Sequence, residues 1–343
     1  MTISFHSHEE FFTFHDPLQN GDLIDRKTEI RFDPLTGESS RIIYDMGAPF
    51  VPKDYAELAK LTEGEKCPFC TPNVLTSTPR FPDELVEGGR FIHDQAVVFP
   101  NLFPYSKHNA VVRMADQHYV TLEQFTTDLI TNACKAAHQY IENIVEFDPQ
   151  TKYVSVNWNY MPPSGGSIVH PHLHVLASEQ PTNYQAVITE KSKEYYAKNG
   201  ENYYLALAEK EQSLGERWIG ETGTIRWVHA YAPKSHMDFI GMTKAASLQH
   251  LTDEDYENLA DGLLRFFTYF TAVGIGSFNL ALCIPIQASE AETVHLRLLP
   301  RMTVGMLESS DCNVFNYLHA EPLSLKVPEQ VTKEVQRFFI EGK

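Results

Sequence analysis

Long apolar runs are missing from this 343-residue chain: no stretch approaches the roughly 20 residues that span a bilayer, so a membrane is not expected as a partner. Basic residues are scarce. The 28 Lys and Arg stand against 45 Asp and Glu, a formal net charge of −17. That balance excludes a nucleic-acid backbone as the main partner, although a local site can still oppose the global field and take a small anion. Cysteine is sparse too. Five thiols, an odd number spread over a long chain, argue against a disulfide framework and for reduced thiols in a cytosol. The start, Met1-Thr-Ile-Ser-Phe-His-Ser-His-Glu-Glu10, lacks the basic and apolar regions of a signal peptide, so a cytoplasmic location is expected. What is present is a hydrophobic fraction of 43%, enough for a large core and, at this length, for two domains or two fused halves.

The densest chemistry lies in His170-Pro171-His172-Leu173-His174-Val175-Leu176. On a β-strand successive side chains point to opposite faces, so the three imidazoles are expected on one face, with Leu173 and Val175 packed behind. Upstream, Ser164-Gly165-Gly166-Ser167 reads as a turn whose backbone N–H groups can hold phosphate oxygens. Imidazoles beside an anion-holding turn point to phosphorus chemistry or a metal. A histidine-rich strand without a role is the plain alternative.

Around this motif the pattern is strand and helix in alternation. Residues 29–32 and 41–44 read as a hairpin across a Pro/Gly turn, and 96–99, 110–114 and 153–157 as strands. Thr121-x-x-Gln124 has capping-box spacing and opens an apolar-periodic helix to about Val145. The second half repeats the order: strand 238–242, a helix from Thr252-x-x-Asp255 to about Phe270, strand 277–283, and a strand at Val294-His295-Leu296-Arg297-Leu298. The two caps and the two histidine strands recur at comparable separations, which argues for internal duplication. The predicted halves are 1–180 and 181–343, joined by a polar connection over about 180–225.

Cys67-Pro68-Phe69-Cys70 is the second constellation. The pair can be half of a zinc site, a redox pair or a coincidence. A redox pair wants a helix N-terminus, and Thr71-Pro72-Asn73 follows instead, so zinc leads. Two further ligands are needed, and His118 and His170 are the candidates.

In order, these segments resemble the galactose-1-phosphate uridylyltransferase-like branch of the histidine-triad superfamily. Residues 30–37, the Cys67/Cys70 pair, Val98-Phe99-Pro100-Asn101, His118, and Asn159 with Gly165-Gly166-Ser167 and His170-Pro171-His172 carry the resemblance well over 28–180, and more loosely over 225–320. It implies an α+β fold of two fused histidine-triad-like halves, each a mostly antiparallel sheet with a packed helix, in a homodimer. It implies His172 as a nucleophile that takes a nucleoside monophosphate from a nucleoside diphosphate sugar or dinucleoside polyphosphate. Ser167 would act with it, and Asn101, Asn159, Gly165, Gly166 and Ser167 would bind substrate. Zinc would be structural, on Cys67, Cys70, His118 and His170.

The departures are equally specific. His174 stands where uridylyltransferases carry glutamine, and a histidine there resembles the nucleotide hydrolases and some phosphorylases of the superfamily. Residues 44–49 lack the pair of phosphate-binding arginines. Leu102 follows Asn101 in place of an aspartate, His295-x-Arg297 replaces a His-x-His pair, and 316–321 lack the hexose-contacting Gly-Tyr-Glu. Rival readings are a metallohydrolase or cupin-like protein binding metal directly through His170, His172 and His174, and a non-catalytic nucleotide sensor.

Overall fold

The computed structural model describes residues 3–44 and 53–340. Strands β1 (His6–Asp16), β2 (Asp22–Phe32) and β3 (Ser39–Ile43) come first, then helices α1 (Ala56–Thr62) and α2 (Asn73–Thr76). The first half continues with β4 (Phe91–His93), β5 (Ala96–Pro100), β6 (His108–Arg113), helix α3 (Thr127–Phe147), β7 (Tyr153–Tyr160) and β8 (His172–Ser178). Helices α4 (Asn183–Asn199) and α5 (Tyr203–Leu214) follow. The second half has β9 (Trp218–Thr222), β10 (Ile225–His229), β11 (Phe239–Met242), helix α6 (Asp253–Ala272), β12 (Phe278–Pro285) and β13 (His295–Pro300). The chain closes with β14 (Thr303–Val304), β15 (Ser309–Ser310), α7 (Val314–Tyr317), β16 (Leu323–Ser324) and α8 (Pro328–Ile340).

One ten-stranded sheet runs β4-β5-β6-β8-β7-β12-β13-β11-β10-β9. Each half therefore contributes three strands, a helix and two strands in the same order, and the halves meet at antiparallel β7·β12, where Asn157 faces Ala281. The fold is the expected α+β arrangement of two fused, mostly antiparallel halves. Register makes the equivalence residue-specific. Val97 pairs Arg113, which pairs His172; Arg226 pairs Met242, which pairs His295. The strand-opening counterpart of His295 is thus His172, not His170.

Alternation on the central strands divides the two faces of the sheet. Leu173, Val175 and Ala177 of β8, and Leu296 and Leu298 of β13, join one core with Ile130, Ala133 and Ala137 of α3 and Phe266 and Phe270 of α6. The even-numbered His172 and His174 point the other way. Helix α3 begins later than the spacing predicts. Thr121 and Gln124 form their capping box on a single 3-10 turn, and Thr126 caps α3 by accepting from the Leu129 amide. Thr252 does the same for α6 at Asp255.

Two regions differ from expectation. The polar connection is largely helical: Thr182 and Asn202 cap α4 and α5, and Tyr203 and Tyr204 are buried. The N-terminal segment, with no predicted element before residue 29, is a long hairpin, β1·β2, extended by β3 and β16 into a four-stranded sheet. No helix among the described residues is long and apolar enough to cross a membrane.

Candidate active site and metal centre

Cys67 and Cys70 sit on the turn between α1 and α2, His118 on the loop after β6, and His170 in the bend just before β8. His170 is therefore not on the strand with its two neighbours, and its ring turns away from theirs toward the thiols. All four residues are buried, and their ligand atoms lie within 4.8 Å of one another. The Nδ1 of His170 is 3.7 Å from each sulfur, and the Nδ1 of His118 is 3.4 Å from Cys70 Sγ. A tetrahedral zinc with Zn–S of about 2.3 Å and Zn–N of about 2.0 Å separates S from N by about 3.6 Å, so the spacing fits.

Hydrogen bonding sets the tautomers in the same sense. A carbonyl only accepts, so at 2.7 Å from Ala115 O the His170 Nε2 carries the proton and Nδ1 keeps its lone pair for the cluster. The Thr62 hydroxyl donates to Leu58 O, so its oxygen accepts from His118 Nε2 at 3.2 Å, and His118 Nδ1 is likewise free to ligate. The Phe69 amide donates to Cys67 Sγ at 3.4 Å, which favours a thiolate. Burial pushes the Cys67 thiol up to about 11. A bound metal cation would bring such a buried thiol to its anionic form at neutral pH. The donor set is compatible with zinc.

His172 and His174 lie on the same face of β8, ring centroids 5.0 Å apart. His172 is buried, with Phe69 edge-on at 5.2 Å. Its Nδ1 donates to the carbonyl of His170 at 2.8 Å, so Nε2 holds the lone pair. Burial lowers the pKa of His172, against the hydrogen bond to the His170 carbonyl, which raises it. Burial also lowers His174, to about 4, with His172 adding to the effect. His174 Nδ1 is buried and has no hydrogen-bond partner. Both shifts favour the neutral imidazole over the cation. His172 and His174 take no part in the four-residue cluster, which leaves a direct three-histidine metal site without its geometry.

Asn159, on β7, shares the face of His172, since Asn157 pairs His174 two residues on. Its amide is oriented by a relay that begins in the second half. Arg301 is clamped by Asp311 at 2.7–3.1 Å and donates to Asn279 Oδ1 at 2.8 Å. Arginine cannot accept, so the Asn279 amino group must face the other way. It gives bonds of 2.7 Å to Asn159 Oδ1 and 2.8 Å to Ser164 O. With Asn159 Oδ1 spent, its amino group is the donor left for a ligand.

The turn between β7 and β8 is tightly folded. Gly165 has φ +88°, and a Cβ on Gly166 would stand 2.8 Å from Asn159 O. The Gly165 amide is used within the turn, on Pro162 O at 2.9 Å, and that of Gly166 on Met161 O at 3.3 Å. The Gly165 and Gly166 amides are thus used within the turn, and Ser167 on it is exposed. Asn101, at the end of β5, donates to Asn109 Oδ1 and accepts from the Phe103 amide, bracing a loop that brings Tyr105 to 6.0 Å from His174. The residues at 45–49, expected to lack phosphate-binding arginines, lie outside the described residues. Sequence reasoning missed Phe69 as a wall of the site and the whole Asn279–Arg301–Asp311 relay. Arg301 directly follows the His295-x-Arg297-x-x-Pro300 string, and that adjacency was the available signal.

The fold is that of galT-like and uridylyltransferase structures. A galT-like protein from Arabidopsis thaliana superposes with a TM-score of 0.66 at 19% identity, covering 90% of this chain and 98% of that one. An ADP-glucose phosphorylase from Arabidopsis thaliana, solved with bound ADP-glucose, gives 0.67 at 18%, with the same coverages. A uridylyltransferase gives 0.65 at 20%, covering 91% and 98%. The chain belongs to the same family as an uncharacterized protein of Archaeoglobus fulgidus, 31% identical over 325 residues, 94% of this chain and 96% of that protein. No family model matches.

Proposed function

We propose that the protein is a nucleotidyltransferase or phosphorylase that works through a nucleotidylated His172. The observation that carries this reading is the Nε2 lone pair of a neutral, buried imidazole whose Nδ1 proton is held by the His170 carbonyl two residues back. Nε2 attacks the α-phosphorus of a nucleoside diphosphate sugar or dinucleoside polyphosphate, a P–N bond forms, and the P–O bond to the departing phosphate group breaks. The departing group leaves with the bonding electron pair as a phosphate anion, and the imidazole keeps its Nδ1 proton on the His170 carbonyl. An acceptor then reverses the step at the same phosphorus, so one hard transfer becomes two easier ones. The Asn159 amino group and the Ser167 hydroxyl hold non-bridging oxygens as charge redistributes, and the Arg301–Asn279 relay keeps Asn159 aimed without reorganisation.

His174, neutral and with an unpartnered Nδ1, supports an acceptor that needs its proton removed: inorganic phosphate or water, beside a sugar 1-phosphate. Hydrolysis is accordingly the second reading. Zinc on Cys67, Cys70, His118 and His170, when bound, fixes the bend that places His172 and leaves no open position for a reacting water. Homodimeric assembly, cytoplasmic residence and a division near residue 180 belong to the same proposal.

The test is incubation with labelled nucleoside diphosphate sugars, with and without phosphate, followed by intact mass and peptide mapping. A nucleotidyl adduct on His172 with at least one donor is expected, discharged by the true acceptor. No adduct and no product with any donor sinks the reading, including against the sensor alternative, which forms no covalent species.

A further inference from the structure

The second half contains a cavity at the position equivalent to the catalytic site. By register β12 stands for β7 and β13 for β8, so residues 285–293 are the counterpart of the turn that precedes His172. A cavity of about 130 Å³ opens there, between α4 and the sheet face that carries His295. Its walls include the ends of β7 and β12, the 285–293 segment, and Tyr184, Ser192 and Lys193 of α4.

The histidine of this second site is disarmed. His295 Nδ1 donates to Thr293 O at 2.9 Å, as His172 does to the carbonyl two residues back. Here, however, Nε2 accepts from the Tyr204 hydroxyl at 3.0 Å, and the ring is stacked on Tyr204 at 4.1 Å. The lone pair that is free on His172 is consumed. Arg297, in the place of His174, is locked to buried Asp238 at 2.9 Å.

The rest of the lining points to a ligand. Ser192 Oγ is buried, with the residue 1% exposed, and has no hydrogen-bond partner, an orphan facing a cavity. Glu292 already accepts from Thr189 at 3.0 Å. Lys152 and Lys193 line the same space, so cations outnumber the one carboxylate there, in a chain of net charge −17. At roughly 10–15 Å³ of such volume per water, the cavity takes a small molecule rather than a dinucleotide.

We propose that this cavity binds a small phosphate monoester, a sugar phosphate or nucleoside monophosphate, without reacting with it. Lys152, Lys193 and the Ser192 hydroxyl take the phosphate, and α4 is ordered by it. The ligand class rests in part on the nucleotidyl-transfer reading; the cavity does not.

The test uses the full-length, zinc-loaded protein and hydrogen exchange with glucose 1-phosphate, AMP and inorganic phosphate as separate probes. Expected is slowed exchange over α4 and 285–293 with at least one monoester, and about tenfold weaker binding in each of Lys152→Glu and Lys193→Glu, the loss of one charge-assisted contact. Both lysines are exposed, so folding is not at stake. Protection of α4 persists in His172→Ala, and adduct formation on His172 persists in Lys193→Glu. Protection by phosphate alone would make the ligand the free anion and overturn the monoester claim. No protection by any probe, unchanged affinity in both lysine variants, or loss of α4 protection in His172→Ala overturns the site. Absence of any adduct in wild type, with α4 protection intact, would sink the catalytic reading and leave this one standing.

Discussion

His172 and His295 open equivalent strands and hold their Nδ1 protons in the same way, yet they differ at Nε2: one lone pair is free, the other bonded to Tyr204. The fastenings of the two halves differ as well. The first holds a four-residue ligand cluster; in the second Arg217 pairs with Glu211 and Glu329, and Glu329 also reaches Arg31 of β2. A duplicated scaffold thus keeps backbone geometry strictly while the chemistry at matching positions diverges. The site is decided by what surrounds the histidine, not by the histidine alone.

The largest expected effect comes from removing the free lone pair. His172→Ala should lower kcat by at least about 10³-fold with zinc content unchanged by metal analysis, while Tyr204→Phe, which frees Nε2 of His295, should create no second adduct by mass. Retained activity in the first breaks the comparison; an adduct on His295 in the second would show that the Tyr204 hydroxyl alone disarms it. Next is Cys67→Ser, expected to abolish zinc binding and cost several kcal/mol in chemical denaturation. Unchanged zinc content would remove the metal centre.

The relay between halves predicts a smaller effect. Asn279→Ala should cost about 10- to 100-fold in kcat/KM through misaimed Asn159, with Arg301→Lys intermediate. Equal effects of the two, or none, would show the relay is only structural.

The cores can be compared too. At matching distances from their caps, Ala136 of α3 and Gly262 of α6 are both buried in the core, and Gly262 packs against Trp227 of β10. A Cβ at 262 would stand 2.2 Å from Trp227 Cζ2. Gly262→Ala should destabilise by about 1–3 kcal/mol in urea, partly relieved by adding Trp227→Phe.

The fastenings can also be separated by pH. Burial raises the Glu329 carboxyl, but hydrogen bonds and charge from Arg31 and Arg217 outweigh it and hold the group at about 2. A depressed carboxyl contributes stability above the unfolded value near 4.5 and loses it as pH falls toward 2. The contribution is on the order of 2–3 kcal/mol. Glu329→Gln should flatten that part of the stability profile, and a profile unchanged between pH 5 and 2 would refute it.

Much of this was legible in the chain. The Cys67/Cys70 pair, His118 and His170 meet as ligand spacing suggests, and the His172–Val175 alternation divides the sheet faces as a strand must. His170 was misplaced because Pro171 keeps it off the ladder, a bend that alternation alone does not show. The β1·β2 hairpin escaped because it is mostly exposed: Phe11 and Phe12 are adjacent and 61% and 70% exposed, so no buried face imposes a period of two. Helices α4 and α5 were hidden by weak amphipathicity: α4 covers a pocket, and α5 buries Tyr203, Tyr204, Leu207 and Ala208 in a second, smaller core. The Asn279–Arg301–Asp311 relay joins residues far from Asn159 in sequence, and only the β7·β12 pairing brings them there.

That pairing carries one more consequence. Its ladder runs unbroken from Phe278 opposite Tyr160 to Pro285 opposite Tyr153, in the middle of the sheet, with core on one face. Neither half can open without baring this seam, so the two should melt in one cooperative step, and the β7 and β12 amides should be the last in the molecule to exchange.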